Sequence, residues 1–469
     1  MRHALLAFAF LSVVAPTPSA LAQDRESLIT EARVTEIVSF LASDDMAGRD
    51  TPSRGQNAAA EFLAASFEAA GLQPVNGSYF HEYELPGQVL DSTAVKVTLF
   101  LKGQSEGVEL EGDRDVRIYR PASAAFDVQD SPVTVSAADS ASGGRGRGRR
   151  RGAGGAGPGP VSLIKVDPES SALWKVAAGQ REVLGGGGGR GGRGGRRGRG
   201  GATQVRPPTL LVREGALPEG EIDRAHISVP APKAVSVKLR NVVAVLPGTD
   251  KKDEFVLFSA HYDHVGVGLP RDGDGIFNGA DDNASGTTSV LTLAEAYAKS
   301  GVAHRRSFMF VGFSGEEKGL RGAREFAEAP SVPLEQIAVN LNIEMVGRPL
   351  PGKRNAAWVT GKQYSDFESI VEIGFERAGI ELMDFERASG LFNSSDNAAL
   401  ASKGVVAHSI SAGSLHEDYH QVSDHVDKLD LPHMTNVIRG IYEAGLEFAN
   451  REARPAYNAV GREYLDLDR

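Results

Sequence analysis

The chain has 469 residues, a net charge of −10, 41% apolar and 24% charged residues, and no cysteine. That length implies two or three domains with ample core, and the balance is ordinary for a soluble globular protein. Without cysteine, disulfides and thiolate chemistry are excluded, so any metal must be held by His, Asp and Glu.

Residues 1–22 have the form of a secretory signal peptide. Arg2 and His3 precede the apolar run ALLAFAFLSVVA, and small residues stand at Ala20 and Ala22 before an expected cleavage ahead of Gln23. The run is too short for a membrane anchor, and no second candidate follows, so no anchor is expected. Cleavage would take away Arg2 and move the net charge from −10 to −11. The mature protein is expected to be exported, to the periplasm or outside the cell.

Residues 23–100 form the first part of the main domain, with two amphipathic helices within 30–75; the second has apolar positions at helical spacing from Ala58 to Ala70 and is closed by Gly71. Residues 101–235 form a β-rich insert, with runs such as VSLIKV, TLLVRE and ISVPAPKAVSVKL. Two Gly-Arg tracts, 142–160 and 185–201, interrupt it. Neither can bury enough apolar surface to order itself, so both are expected to be disordered surface loops. Arg-Gly segments are also RNA-binding material, but these carry no aromatics for base stacking and the chain is acidic overall, so no nucleic-acid partner is expected.

Residues 236–452 alternate strand and helix, and 453–469 form a C-terminal tail. The apolar runs NVVAVLPG, FVLFSA, FMFVGF, IAVNLNI and VVAHSIS alternate with helical segments such as ASGTTSVLTLAEAYAKS and LPHMTNVIRGIYEAGLEFAN. This order argues an α/β fold, a mixed, largely parallel central sheet flanked by helices, carrying the β-rich inserted domain. In such sheets ligands gather at the carboxyl ends of the strands.

Chemistry-bearing residues follow those strands. His261 and Asp263 follow FVLFSA; Glu316 and Glu317 follow FMFVGF; Glu344 follows IAVNLNI; His416, Tyr419, His420 and Asp424 lie beyond VVAHSIS. The loop NGADDNASG adds Asp281 and Asp282 ahead of a helix, with Asn283 or Ser285 as its cap. Two adjacent glutamates alone would suit a solvated turn, where first-turn acids favour the helix dipole. Five segments converging on one sheet edge point instead to a metal centre. Imidazole and carboxylate ligands without thiolate suit catalytic zinc. Crowded carboxylates repel one another unless cations neutralise them, so a pair of ions bridged by one carboxylate is expected. A further carboxylate is needed as general base, which adjacent glutamates supply: one binds metal while its neighbour moves protons.

The motifs SAHYDHVG, NGADDNASG, FSGEEKGLRGA, NLNIEMVG and DYHQVSD, in this order and spacing, resemble those of the co-catalytic zinc aminopeptidase family, which includes bacterial leucyl aminopeptidases, glutamate carboxypeptidase II, glutaminyl cyclases and the inactive transferrin receptor. The resemblance covers about 236–450, and LASDDMAGR extends it to the N-terminal helices. It implies that His261 and Glu344 bind one zinc and Glu317 and His420 a second, bridged by Asp282. It further implies Glu316 as general base, Asp263 as the residue holding the His261 imidazole in the right tautomer, and Tyr419 as a group steadying the oxyanion. The family usually has Asp where Glu344 stands; Glu adds a methylene and is expected to bind through one oxygen or slightly displaced. Asn397 stands where many relatives have His. The 101–235 segment falls where relatives carry a protease-associated domain.

Competing readings are weaker. His264, His408, His416 and His425 read as supporting or surface residues rather than ligands. RDGDGIFNGADDN fails as a calcium loop, because Ile276 and Phe277 occupy the positions of an oxygen ligand and the turn glycine. GFSGE fails as a nucleophile elbow, with Glu316 in place of the second glycine. Asp281 could replace Asp282 as ligand, though the resemblance to the family's motif spacing favours Asp282. The expected activity is removal of N-terminal residues from peptides with a free N-terminus by metal-activated water. The alternatives are a carboxypeptidase or dipeptidase of the same family, a glutaminyl cyclase-like transferase, and a non-catalytic receptor-like binding protein.

Overall fold

The runs FVLFSA, FMFVGF, IAVNLNI and VVAHSIS are too uniformly apolar to leave one face wet, the requirement for strands covered on both sides. In the computed structural model, which describes residues 25–142, 160–184 and 206–468, they are the strands Lys251–His261, Arg306–Phe313, Ile337–Ile343 and Ala407–Ser411. The expected leader over 1–22 and all of both Gly-Arg tracts except Ser142 and Pro160 lie outside the described residues.

These four strands are parallel neighbours, in the spatial order 306–313, 251–261, 337–343, 407–411. Antiparallel strands extend the sheet on both sides. Lys233–Leu246 pairs with Arg306–Phe313 and then with Phe80–Asp91, which in turn pairs with Gln180–Leu184. Ala356–Val359 pairs antiparallel with Ala407–Ser411 on the opposite side. The sheet is therefore mixed, with its parallel part at the centre. Parallel register aligns the strand exits: His261 stands beside Phe313, and Ser259, Asn342 and Ser409 lie side by side.

Helices Gly286–Ser300, Leu431–Asn450 and Phe367–Ala378 cover the sheet. The last two pack closely because Gly374 faces backbone: a Cβ there would lie 2.3 Å from the amide nitrogen of Ala444. The N-terminal helices Glu31–Leu41 and Arg54–Ala69 start at hydroxyl caps, Thr30 accepting from the Arg33 amide and Ser53 from that of Gln56. Their apolar stripes, including Val34, Ile37, Leu41, Leu63 and Phe67, join the main core. Strands between Lys96 and Val229 build two further four-stranded sheets around a separate core that includes Leu99, Ile118, Leu163, Leu210 and Ile227. Among the described residues no helix is long and apolar enough to cross a membrane.

Between the two N-terminal helices lies Arg49, fully buried. Its guanidinium donates to the carbonyl oxygens of Tyr262 at 2.9 Å, Asn278 at 2.7 Å, Gly279 at 3.0 Å, and Leu41. Burial lowers its pKa to about 10, against the pull of nearby Asp263, Asp282, Asp424 and Glu317, so it remains a cation at neutral pH. Arg49→Met would leave those carbonyls unmet and remove the buried counter-charge. It is expected to lower unfolding free energy by about 3–5 kcal/mol, measured by urea titration; an unchanged midpoint would show the guanidinium to be dispensable.

Candidate active site

Each parallel strand ends where a polar side chain begins its work. His261 is the last residue of its strand, Glu316 and Glu317 follow Phe313, Glu344 follows Ile343, and the loop after Ser411 carries Tyr419 and His420. Asp282 sits in the turn before helix Gly286–Ser300. There Asn283 accepts the Gly286 amide at 3.0 Å, so Asn283 caps the helix, while Ser285 donates to the Asp281 carbonyl.

The two glutamates are held by a third carboxylate. Buried Asp263 accepts the Glu316 amide at 3.0 Å and the Glu317 amide at 3.4 Å, and its Oδ2 also takes the Thr51 hydroxyl at 3.1 Å. Burial raises the pKa of Asp263, opposed by His261. Its side chain was expected to orient the His261 ring, but the closest partner of His261 Nδ1 is the Asp263 backbone carbonyl, at 3.1 Å, with the carboxylate at 3.7 Å. An Nδ1–H donating there leaves Nε2 facing the cluster. The carboxylate is already engaged by the amides of the glutamate turn.

Two groups of donor atoms converge, and Asp282 belongs to both: His261, Asp282 and Glu344 in one, His264, Asp282, Glu317 and His420 in the other. Asp282 Oδ1 lies 3.4 Å from His261 Nε2, and Oδ2 lies 2.9 Å from His420 Nε2. His261 Nε2 is 3.6 Å from Glu344 Oε2, and His420 Nε2 is 3.0 Å from Glu317 Oε1. Donors about 2.0–2.1 Å from a tetrahedral zinc stand about 3.3 Å apart, so these separations match the edges of such a shell. Asp282 Oδ2 and His420 Nε2 are buried yet make no aligned hydrogen bond, as ligand atoms facing a common cation would be. The residues present thus fit divalent metal.

The electrostatics agree. Burial opposes ionisation of Asp282, but His261 and His420 hold it well below the usual carboxylate range. Burial and the Asp282 charge likewise oppose Glu317, yet the His264 and His420 imidazoles bring it to about 2. Burial would depress His420, but Asp282 and Glu317 outweigh it and raise the ring to about 10. His261 is raised well above its ordinary value by Glu344 and Asp282 against the same penalty. Carboxylates that stay ionised this deep require cations, whether protons on imidazole or metal.

Glu344 presents one oxygen to the cluster. Its Oε1 accepts the Ser395 hydroxyl, which also receives Asn342 Nδ2 at 2.9 Å, and Oε2 faces His261. Glu316 belongs to neither donor group; it is buried and lines a cavity of about 260 Å³ with His261, Asp282, Glu344 and Tyr419. The Tyr419 ring stacks on His420 at 4.0 Å.

Other acids and histidines take supporting places. Asp281 accepts the Gly347 amide at 2.8 Å and faces His416 Nε2 at 3.1 Å, outside both donor groups. Asp424 accepts the amides of Asp281 and Asp282. His408 is buried against Ser365 and the Thr360 carbonyl, and His425 lies 3.5 Å from Asp274. Asn397 bonds the Phe392 carbonyl and Ser409 in the core. The one histidine that joins the cluster against expectation is His264, whose Nδ1 is 3.1 Å from Glu317 Oε1. A second histidine three residues after His261 in HYDHVG is the sequence signal for it.

Residues 241–444 match Peptidase family M28. A probable zinc metalloprotease of Pyrenophora teres f. teres is 35% identical over 111 residues, which are 24% of this chain and 23% of that protein. Aminopeptidase YwaD of Bacillus subtilis is 26% identical over 170 residues, 31% of this chain and 35% of the relative. The matched stretches thus span only about a quarter to a third of these relatives. Among solved structures, a zinc aminopeptidase from Bacillus subtilis superposes with TM-score 0.51 at 16% identity, covering 91% of this chain and 97% of that one. A peptidase M28 precursor from Shewanella amazonensis gives 0.51 at 15%, covering 93% and 98%. At such identities the likeness is one of fold. With the motifs, the sheet and the donor geometry in agreement, residues 241–444 form a region of the Peptidase family M28 type.

Proposed function

We propose that the protein is an exported zinc-dependent aminopeptidase. His261 and Glu344 would hold one ion, Glu317 and His420 the other, with Asp282 bridging them. When bound, the ions polarise the scissile carbonyl and lower the pKa of the attacking water. Glu316 accepts that water's proton on its carboxylate and delivers it to the departing amine. Asp263, by fixing the amides of residues 316 and 317, keeps the two neighbouring carboxylates aimed apart. The Tyr419 hydroxyl steadies the carbonyl oxygen as negative charge grows on it.

The observation that carries aminopeptidase over carboxypeptidase is the cavity lining. The acids Glu316 and Glu344 in the lining suit a free ammonium group, and no Arg or Lys is among the lining residues to receive a terminal carboxylate. Trp358, Met345, Leu391 and Leu415 line the same cavity, which favours an uncharged side chain at the cleaved position. A full ligand set argues against a receptor-like protein, and a second donor group argues against a single-zinc cyclase. The leader-like 1–22 pattern supports export. We assign residues 101–235 as a protease-associated-like insert that shapes access to the cavity; what supports it is the pair of sheets and the separate core that strands between Lys96 and Val229 build.

Peptides with free N-termini are expected to lose residues stepwise while acetylated counterparts persist, followed by mass spectrometry. Glu316→Gln should lower kcat by about 10²–10⁴-fold with zinc content unchanged; trimming from C-termini would replace this reading with the carboxypeptidase one. Metal uptake should also depend on pH. With its pKa raised to about 10, His420 is protonated throughout the neutral range and must release that proton to bind metal. Zinc affinity of the metal-free protein should therefore rise with pH up to about 10, with protons released on binding, as read by calorimetry in buffers of different ionisation enthalpy.

A further inference from the structure

Two ions that share Asp282 need not be held alike, and here their donor sets differ in number. Around Asp282 Oδ1 stand His261 and Glu344, three protein donors in all. Around Oδ2 stand Glu317, His420 and a fourth residue, His264, whose Nδ1 is 3.1 Å from Glu317 Oε1 and 3.9 Å from Asp282 Oδ2.

The placement of His264 is rigid. It is fully buried, and its amide donates to the Arg49 carbonyl at 3.2 Å. Its ring lies against Gly279, where a Cβ would come within 2.4 Å of Cδ2, and stands edge-on to the His420 ring at 5.5 Å. Nε2 is buried with no hydrogen-bond partner among the described residues, so no competing contact turns Nδ1 away from the carboxylates. A separate observation concerns access. The cavity that holds Glu316 is lined by His261, Asp282 and Glu344, and by none of His264, Glu317 and His420.

We propose that His264 is a fourth protein ligand of the Asp282–Glu317–His420 centre, making that centre closed and tightly held, while the three-donor centre at His261 keeps the open position that faces the cavity. Four protein donors complete a tetrahedral zinc shell, and three leave room for water or substrate. The inference rests on the two-metal reading above and gives its two ions unequal donor sets, four on one and three on the other. A competing role, in which His264 only hydrogen-bonds Glu317 to position it, makes a different prediction for the metal's own spectrum.

The test is a zinc titration of the metal-free full chain against competing chelators, with visible spectra at one equivalent of cobalt, for the wild type, His264→Gln, His264→Ser and His261→Gln. Wild type should bind one zinc much more tightly than a second. Both His264 variants should weaken the tighter zinc by more than the about 10–100-fold that loss of a positioning partner costs and lose the intense four-coordinate cobalt absorption, whereas His261→Gln should weaken only the looser one. Melting temperatures of the metal-free variants equal to that of metal-free wild type would place the loss at the metal rather than the fold. If either folded His264 variant keeps tight zinc and an unchanged cobalt spectrum, the ligand assignment is overturned. A moderate loss of affinity with that spectrum unchanged also overturns it, in favour of the positioning role. Absence of zinc binding by the wild type would overturn the metallopeptidase reading itself, a distinguishable result.

Discussion

The structure is organised around a repulsion. Asp263, Asp281, Asp282, Glu316, Glu317, Glu344 and Asp424 crowd the exits of four parallel strands, and all but Glu317 and Glu344 are almost wholly buried. Buried carboxylates left to themselves would take up protons or push the loops apart. The chain answers with several kinds of compensation. Asp263 and Asp424 accept backbone amides, Glu344 accepts a hydroxyl, and Asp282 and Glu317 are set against imidazoles. Arg49, between the N-terminal helices, adds a buried cation that ties this distant stretch to the main sheet's loops.

The loops are tied to one another as well as to the sheet. Asp424 lies four residues beyond His420 and accepts the amides of Asp281 and Asp282, so the histidine's loop also carries the clamp for the aspartate common to both donor groups. Asp281 reaches the other way, to the Gly347 amide just after Glu344 and to His416, which in turn meets Arg348. Donors on separate loops are thus tied to one another, as a metal centre of set geometry requires.

Much of this was legible in the sequence because it follows from period and punctuation. Uniformly apolar runs ending at His or Glu announce covered parallel strands with reactive ends, and the central sheet forms from those runs. The antiparallel margins were less legible, since pairing direction depends on chain path rather than on local pattern. The site's polar support was hidden for a similar reason. That a backbone carbonyl rather than a carboxylate receives His261 Nδ1, that Ser395 takes up the spare oxygen of Glu344, and that Arg49 reaches four carbonyls are facts of long-range packing. His264 was visible as a residue but not as a participant; only burial of its ring beside Glu317 distinguishes it from a surface histidine.

The donors run from His261 to His420 and come from segments that touch only when the parallel sheet is complete. Such contacts have high sequence separation, so their loop-closure entropy must be met before any metal can reward it. A nascent chain cannot use the ions as a nucleus in the way a zinc finger does, because no hairpin or single βαβ unit presents a finished donor set. Apolar collapse of the sheet and helices would have to come first, with any metal taken up by a chain already folded.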